Sequence, residues 1–161
     1  MAPADQTTAK PIGREAASAE TAAQPAYDVT EQIGHLLRRA HQRASAVFQE
    51  TLDDPGMTPM QLAALMRLVD AGPVSQNQLG RETAMDPATI QGVIKRLEER
   101  GLIDRRPDPG DRRRTLLSAS AAGRRLAQSL IPSAQKISAR TLEPLSEPER
   151  RALIALLKKI A

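Results

Sequence analysis

The stretch DPATIQGVIKRLEERGLIDRRPDPGDRRR, residues 86–114, sets a helix directly before a basic turn. Asp86 is a capping residue type, and Pro87 suits the first helical turn. Ile90, Val93, Ile94 and Leu97 recur at helical spacing, and Gly101 is a natural C-terminal stop. The opposite face carries Ala88, Thr89, Gln91, Gly92, Lys95 and Arg96. Small residues at Ala88 and Gly92 allow close approach to base edges, Thr89 and Gln91 carry groups able to read them, and Lys95 and Arg96 suit guanine edges or phosphates. Alone, this helix reads better as an ordinary amphipathic helix with a solvated face, since such helices are common.

The residues that follow shift the balance. Extended segments at 102–106 and 114–118 flank Pro107-Asp108-Pro109-Gly110, which predicts a β-hairpin. Arg105, Arg106, Arg112, Arg113 and Arg114 cluster there against Asp108 and Asp111. A basic loop held out on two strands suits the narrow minor groove, where arginine is favoured electrostatically. A solvated turn accounts for one or two arginines better than for five. Asp111 and Arg113 can pair; an exposed pair contributes about 0–1 kcal/mol, so its value is in shaping the loop.

Working outward, Ser75 caps a short helix, with Gln78 three residues on completing a capping box. Leu79 and Ala84 are expected to point inward. Two short helices, a tight connection and a basic hairpin make a helix-turn-helix unit whose second helix enters the major groove. Ser75, Gln76, Gln78 and Pro87 join the candidate DNA contacts, with Ala88, Thr89, Gln91, Gly92, Lys95, Arg96, Arg106, Arg112, Arg113 and Arg114. A first helix is predicted over 30–52, with an apolar stripe of Ile33, Leu36, Leu37, Ala40, Ala44, Val47 and Leu52. Thr58 and Pro59 open a second, buried through Leu62, Leu65, Met66 and Val69 and closed by Gly72-Pro73. A long helix starts near Ser120, buried through Leu126, Leu130 and Ile137 and bent at Pro132. A last helix starts at Ser146, with Glu149 completing a capping box and Leu153, Leu156, Leu157 and Ile160 on one face. The fold class is mainly α with a small β-hairpin wing. Residues 1–26, rich in Ala, Thr, Pro, Gln and Glu without an apolar period, read as a disordered tail.

Composition narrows the function. The 161 residues are 40% hydrophobic, enough for one domain plus a tail. Tyr27 and Phe48 are the sole aromatics, so the core is built from aliphatic side chains. A net charge of +4 is compatible with a polyanionic partner but weak evidence by itself. The absence of cysteine removes disulfides, zinc-thiolate sites and thiol sensing. His35 and His41 sit six residues apart on one helix and share no metal-binding face. No phosphate-binding glycine loop and no nucleophile with a base beside it is legible, so no enzyme, metal or cofactor is expected. No apolar run is long enough to span a bilayer and the N-terminus lacks signal-peptide character, so a cytoplasmic location is expected.

From about residue 30 to 161 the chain resembles the MarR family of bacterial regulators. The resemblance rests on residues 94–106 (IKRLEERGLIDRR), on 108–113 (DPGDRR), and on 145–150 (LSEPER) leading into LLKKI at 156–160. Ala119-Ser120 departs from the family's Leu-Thr before the glycine matched by Gly123. The resemblance implies a homodimer in which the first helix and the last two interlock across a two-fold axis. The residues agree, since the first and last helices carry more apolar surface than one small winged domain needs. On this reading 27–57 and 119–161 form the dimerisation region, and 58–118 the DNA-binding winged helix-turn-helix. Many relatives release operator DNA on binding an aromatic acid between the dimer helices and the reading head. His35, Arg38, Arg39 and Arg67 are the groups expected to meet a carboxylate there, with Met66 as an apolar wall and a hydroxylated pyridine or benzene carboxylate as the effector class. Each of the five also reads as a solvated charge, an interface residue or a core residue. The missing cysteine argues against the peroxide-sensing branch. Two other functions fit the sequence: a DNA-binding regulator without an effector, and a winged-helix protein-interaction module. The row of hairpin arginines argues against the second.

Overall fold

The helices that start at Pro59, Gln76, Pro87 and Ala121 begin where local capping chemistry puts them, whereas the one that starts at Ile33 follows Gln32 without a side-chain cap. In the computed structural model, which describes residues 27–111 and 113–160, Thr58 Oγ1 accepts from the Gln61 amide at 3.2 Å. Gln61 Oε1 accepts from the Thr58 amide at 3.0 Å, closing both halves of a capping box. The elements are a 3-10 turn Val29–Glu31, α1 Ile33–Thr51, α2 Pro59–Ala71, β1 Val74–Ser75, α3 Gln76–Glu82, α4 Pro87–Glu99, β2 Ile103–Pro107, β3 Thr115–Ala119, α5 Ala121–Thr141 and α6 Glu147–Ile160. The tail expected over 1–26 and the Arg112 contact lie outside the described residues.

The mainly helical reading with a wing holds. The sheet has a third, unforeseen strand: its order is β1-β3-β2, all antiparallel, with Val74 opposite Leu117. Two residues of β1 are too short to show an alternating pattern. Pro107 lies within β2 rather than in the turn. Arg100 ends α4 and Gly101 follows at φ +67°. Its amide donates to Glu98 O at 2.8 Å and that of Leu102 to Leu97 O at 2.9 Å. These are the two bonds of a Schellman cap, which needs a left-handed residue.

The core sits where α2, α3, α4 and the sheet meet. Leu65, Leu68, Leu79, Ile90, Ile94, Leu97 and Leu117 are its largest fully buried side chains. Fully burying one such side chain contributes about 1.5–3 kcal/mol. Ala119 is buried here too, so the smaller side chain is accommodated. Three sequence expectations give way. Ala84 is exposed and adopts φ +52° in the α3–α4 turn. It lies in the turn where the Met85 amide reaches Gly80 O at 2.9 Å, and the left-handed backbone costs about 1–2 kcal/mol. Val69 is exposed, and Gln61, Ala64 and Leu68 complete the buried face of α2 instead. In α5, Leu130 is buried while Leu126 and Ile137 pack at the core margin.

Candidate nucleic-acid interface and the adjoining cavity

Asp86 fixes the start of the second helix of the motif. Its Oδ1 accepts from the Ala88 and Thr89 amides, each at 3.0 Å, and its Oδ2 from Thr89 Oγ1 at 2.5 Å. The Thr89 hydroxyl, then its amide, hold the Asp86 carboxyl below its ordinary value. The folded state therefore favours the carboxylate: the cap is complete above the ordinary carboxylate range and is lost as pH falls through the depressed value. The Thr89 hydroxyl donates its proton at the cap, which leaves it acceptor capacity toward a base edge.

Ile90, Val93, Ile94 and Leu97 anchor α4 to the core, leaving Ala88, Gln91, Gly92, Lys95 and Arg96 exposed. Lys95 lies 3.9 Å from Glu99 on the same face. A Cβ on Gly92 would meet nothing within 4 Å. Gly92→Ala is thus expected to stabilise the fold by about 0.5–1 kcal/mol, because a mid-helix glycine carries that entropic cost. The same methyl would stand between α4 and the bases and weaken operator binding. Denaturation and gel shift on one preparation check both signs, and equal affinity would remove Gly92 from the interface.

The wing is shaped by its aspartates. Asp108 Oδ1 accepts from the Gly110 amide at 2.8 Å and Asp111 Oδ1 from the Arg113 amide at 3.0 Å. Arg113 Nε lies 3.3 Å from Asp111 Oδ1, with the Arg113 side chain 93% exposed. Arg114 stands 4.0 Å from Asp108, and Arg106 is exposed without an ion-pair partner among the described residues. Arg105 is bound through two guanidinium nitrogens to Glu98, tying β2 to α4. It therefore holds the wing in position. Arg113→Ala is expected to weaken binding to all sequences and lower the salt slope by about one per bound subunit, whereas Gln91→Ala relaxes preference at one base position of each half-site. An unchanged salt slope in Arg113→Ala would remove the wing from the interface.

The α3 end of the interface is less free than the sequence suggested. Ser75 Oγ accepts from the Gln78 amide at 3.3 Å, but Gln78 Nε2 donates to Glu82 at 3.0 Å, so the second half of the capping box is replaced. Arg67 Nε donates to the same Glu82 carboxylate at 2.9 Å. That bond, then the one from Gln78, holds the Glu82 carboxyl low. Ser75, Gln76 and Arg114 line a groove of about 490 Å³ together with Asn77, Arg81, Arg105, Thr115 and Leu117. Asn77 and Arg81 were not singled out in the sequence, although their i, i+4 spacing puts them on one face.

Behind the reading helix lies an open cavity of about 530 Å³. His41, Ser45 and Gln49 of α1 form one wall, and Thr58, Pro59 and Met60 a second. Ala88, Thr89, Gly92, Val93 and Arg96 form the third. The volume is within the range of small-molecule sites. None of His35, Arg38, Arg39, Met66 and Arg67 lines it. Arg67 is held by Glu82, and Met66 leans on the core. Arg38 does share a helix face with His41, Ser45 and Gln49 at spacings of 3, 7 and 11 residues, one turn beyond the cavity edge. His35 and Arg39 lie further round. The i, i+4, i+8 run of His41, Ser45 and Gln49 was the available signal.

A capped two-helix motif packed on a three-stranded sheet, with an arginine-bearing hairpin beside the second helix, defines a winged helix-turn-helix DNA-binding protein. Residues 56–114 match the family model described as MarR family. The HTH-type transcriptional repressor NicR of Pseudomonas putida is 46% identical over 134 residues, covering 83% of this chain and 85% of NicR. The crystal structure of a probable transcriptional regulator from Pseudomonas aeruginosa aligns with a TM-score of 0.81 at 47% identity, covering 83% of this chain and 100% of the other. Bordetella bronchiseptica BpsR, whose structure describes regulation of DNA binding by 6-hydroxynicotinic acid, aligns at 0.81 and 41% identity, covering 84% and 96%. The chain belongs to the MarR family and is a DNA-binding transcriptional repressor. Among the described residues no helix is long and apolar enough to cross a membrane.

Proposed function

We propose that this repressor acts as a cytoplasmic homodimer and leaves a pseudo-palindromic operator when a small aromatic or pyridine carboxylate occupies the cavity behind α4. The shared wall carries this reading: Ala88, Gly92 and Arg96 belong both to the cavity lining and to the exposed face of the reading helix. A ligand seated there presses on the element that meets DNA. His41 and Arg96 are the lining groups suited to a carboxylate and a ring hydroxyl, since an arginine fork matches two carboxylate oxygens. Met60 supplies the apolar wall first assigned to Met66. BpsR supports the effector class, since its DNA binding is regulated by 6-hydroxynicotinic acid, a hydroxylated pyridine carboxylate.

A ligand shifts the dimer from DNA only if it prefers the non-binding arrangement. Calorimetry with 6-hydroxynicotinic acid and related benzene and pyridine carboxylates, with and without operator, tests this. Saturating ligand should weaken operator binding about 5–150-fold, and operator should weaken ligand binding by the same factor. His41→Ala should weaken ligand binding and leave ligand-free operator affinity intact. If no acid of the panel binds, or binding is indifferent to DNA, the regulator without an effector is the correct reading.

A further inference from the structure

We propose that Arg96 is held in turn by an operator phosphate and by the effector carboxylate, so that the two ligands compete for one guanidinium. This rests on the effector reading above. Arg96 is exposed on α4 and lines the cavity wall. The cations around it are engaged: Lys95 by Glu99 at 3.9 Å, Arg100 by Asp54 at 2.6 Å, and Arg105 by Glu98. Arg96 has no acidic partner among the described residues. It follows Gly92 by one helical turn, at the margin between the outward face of Gln91 and Lys95 and the cavity flank of Thr89 and Val93. A long flexible side chain at that margin can turn to either side. One fork cannot bind a phosphate and a carboxylate bidentately at the same time.

The anchoring of α4 favours a side-chain exchange over a swing of the helix. Ile90, Val93, Ile94 and Leu97 seat it in the core, and its C-terminal Arg100 is bound to Asp54 in the α1–α2 loop. Gly56 donates to the same aspartate at 3.0 Å, so that loop is itself ordered around the pair. Coupling through Arg96 needs no displacement of the helix.

The test measures operator binding against salt, and 6-hydroxynicotinic acid binding by calorimetry, for the wild-type dimer, Arg96→Gln and Arg96→Lys. The operator is the gene's own upstream region. Arg96→Gln should lose about one unit of salt slope per bound subunit. It should still bind the acid through His41 and the rest of the cavity lining, with the coupling factor reduced from about 5–150 to below about 2. Arg96→Lys keeps a point charge for phosphate but loses the fork, so it should recover the salt slope and only part of the coupling. Full coupling in Arg96→Gln, or an unchanged salt slope, overturns the proposal while leaving the effector reading intact. A wild-type protein that binds none of the acid at millimolar concentration overturns both.

Discussion

Gly123→Ala is expected to lower stability by about 3 kcal/mol or more, the upper end for overpacking. An added Cβ at Gly123 would lie 2.0 Å from Leu102 O, 2.9 Å from Leu102 C and 3.2 Å from Leu65 Cδ1. Two of those neighbours are backbone, and the carbonyl cannot retreat freely, because it accepts from the Ser120 amide at 2.9 Å. Ser120 Oγ ties the same junction together, donating to Gly101 O at 2.7 Å and accepting from the Gly123 amide at 2.9 Å. Opening space for one methyl therefore breaks the docking of α5 onto the α4–β2 turn. Urea denaturation at fixed protein concentration is the measurement, with the midpoint falling and the slope unchanged. The Gly92→Ala variant, expected to move the opposite way, is the internal control. A midpoint within error of wild type would show that α5 does not sit this tightly against the head.

The Leu153→Glu, Leu157→Glu double variant is expected to give a monomer whose operator affinity is about 10² to 10⁴ lower, the avidity lost when two linked sites become independent. No residue of α6 is buried within the single chain. Leu153, Ile154, Leu156, Leu157 and Ile160 are 36–68% exposed, as are Ile33, Leu36 and Leu37 of α1. Apolar surface on this scale at both ends of the chain fits burial against a second copy. The α1 and α5 helices are already joined within one chain: Arg43 donates to Thr141 O and Arg140 O, each at 3.0 Å, and Arg140 to Thr51 Oγ1 at 2.6 Å. The variant sites are outside that network, so each head should keep its fold. Sedimentation together with gel shift reads both effects. A monomer with wild-type operator affinity would contradict the two-fold arrangement.

Helices were legible because their signals are local. A cap such as Asp86, a stop such as Gly101 and the 90, 93, 94, 97 stripe are each written within a few residues. Ala84 and β1 were hidden for the opposite reason. The first takes an unusual backbone because the α3–α4 turn demands it, and the second exists only through its pairing with β3. Gln78 and Arg67 show the limit for polar groups. Both were read as available for other roles, and tertiary packing brings both to Glu82. The cavity was legible in kind but not in membership. Knowing that α1 passes the reading head does not say which turn of α1 does so, and the wall falls at His41, Ser45 and Gln49, a turn beyond Arg38.

The most direct test of the account is a footprint of the wild-type protein on its own upstream DNA, titrated with 6-hydroxynicotinic acid. A two-fold dimer should protect one pseudo-palindrome with half-site centres about 10 base pairs apart, one helical turn. Protection should be lost at both half-sites together as the acid is added. A single unpaired half-site, or protection that persists at saturating acid with every carboxylate of the panel, would contradict the account.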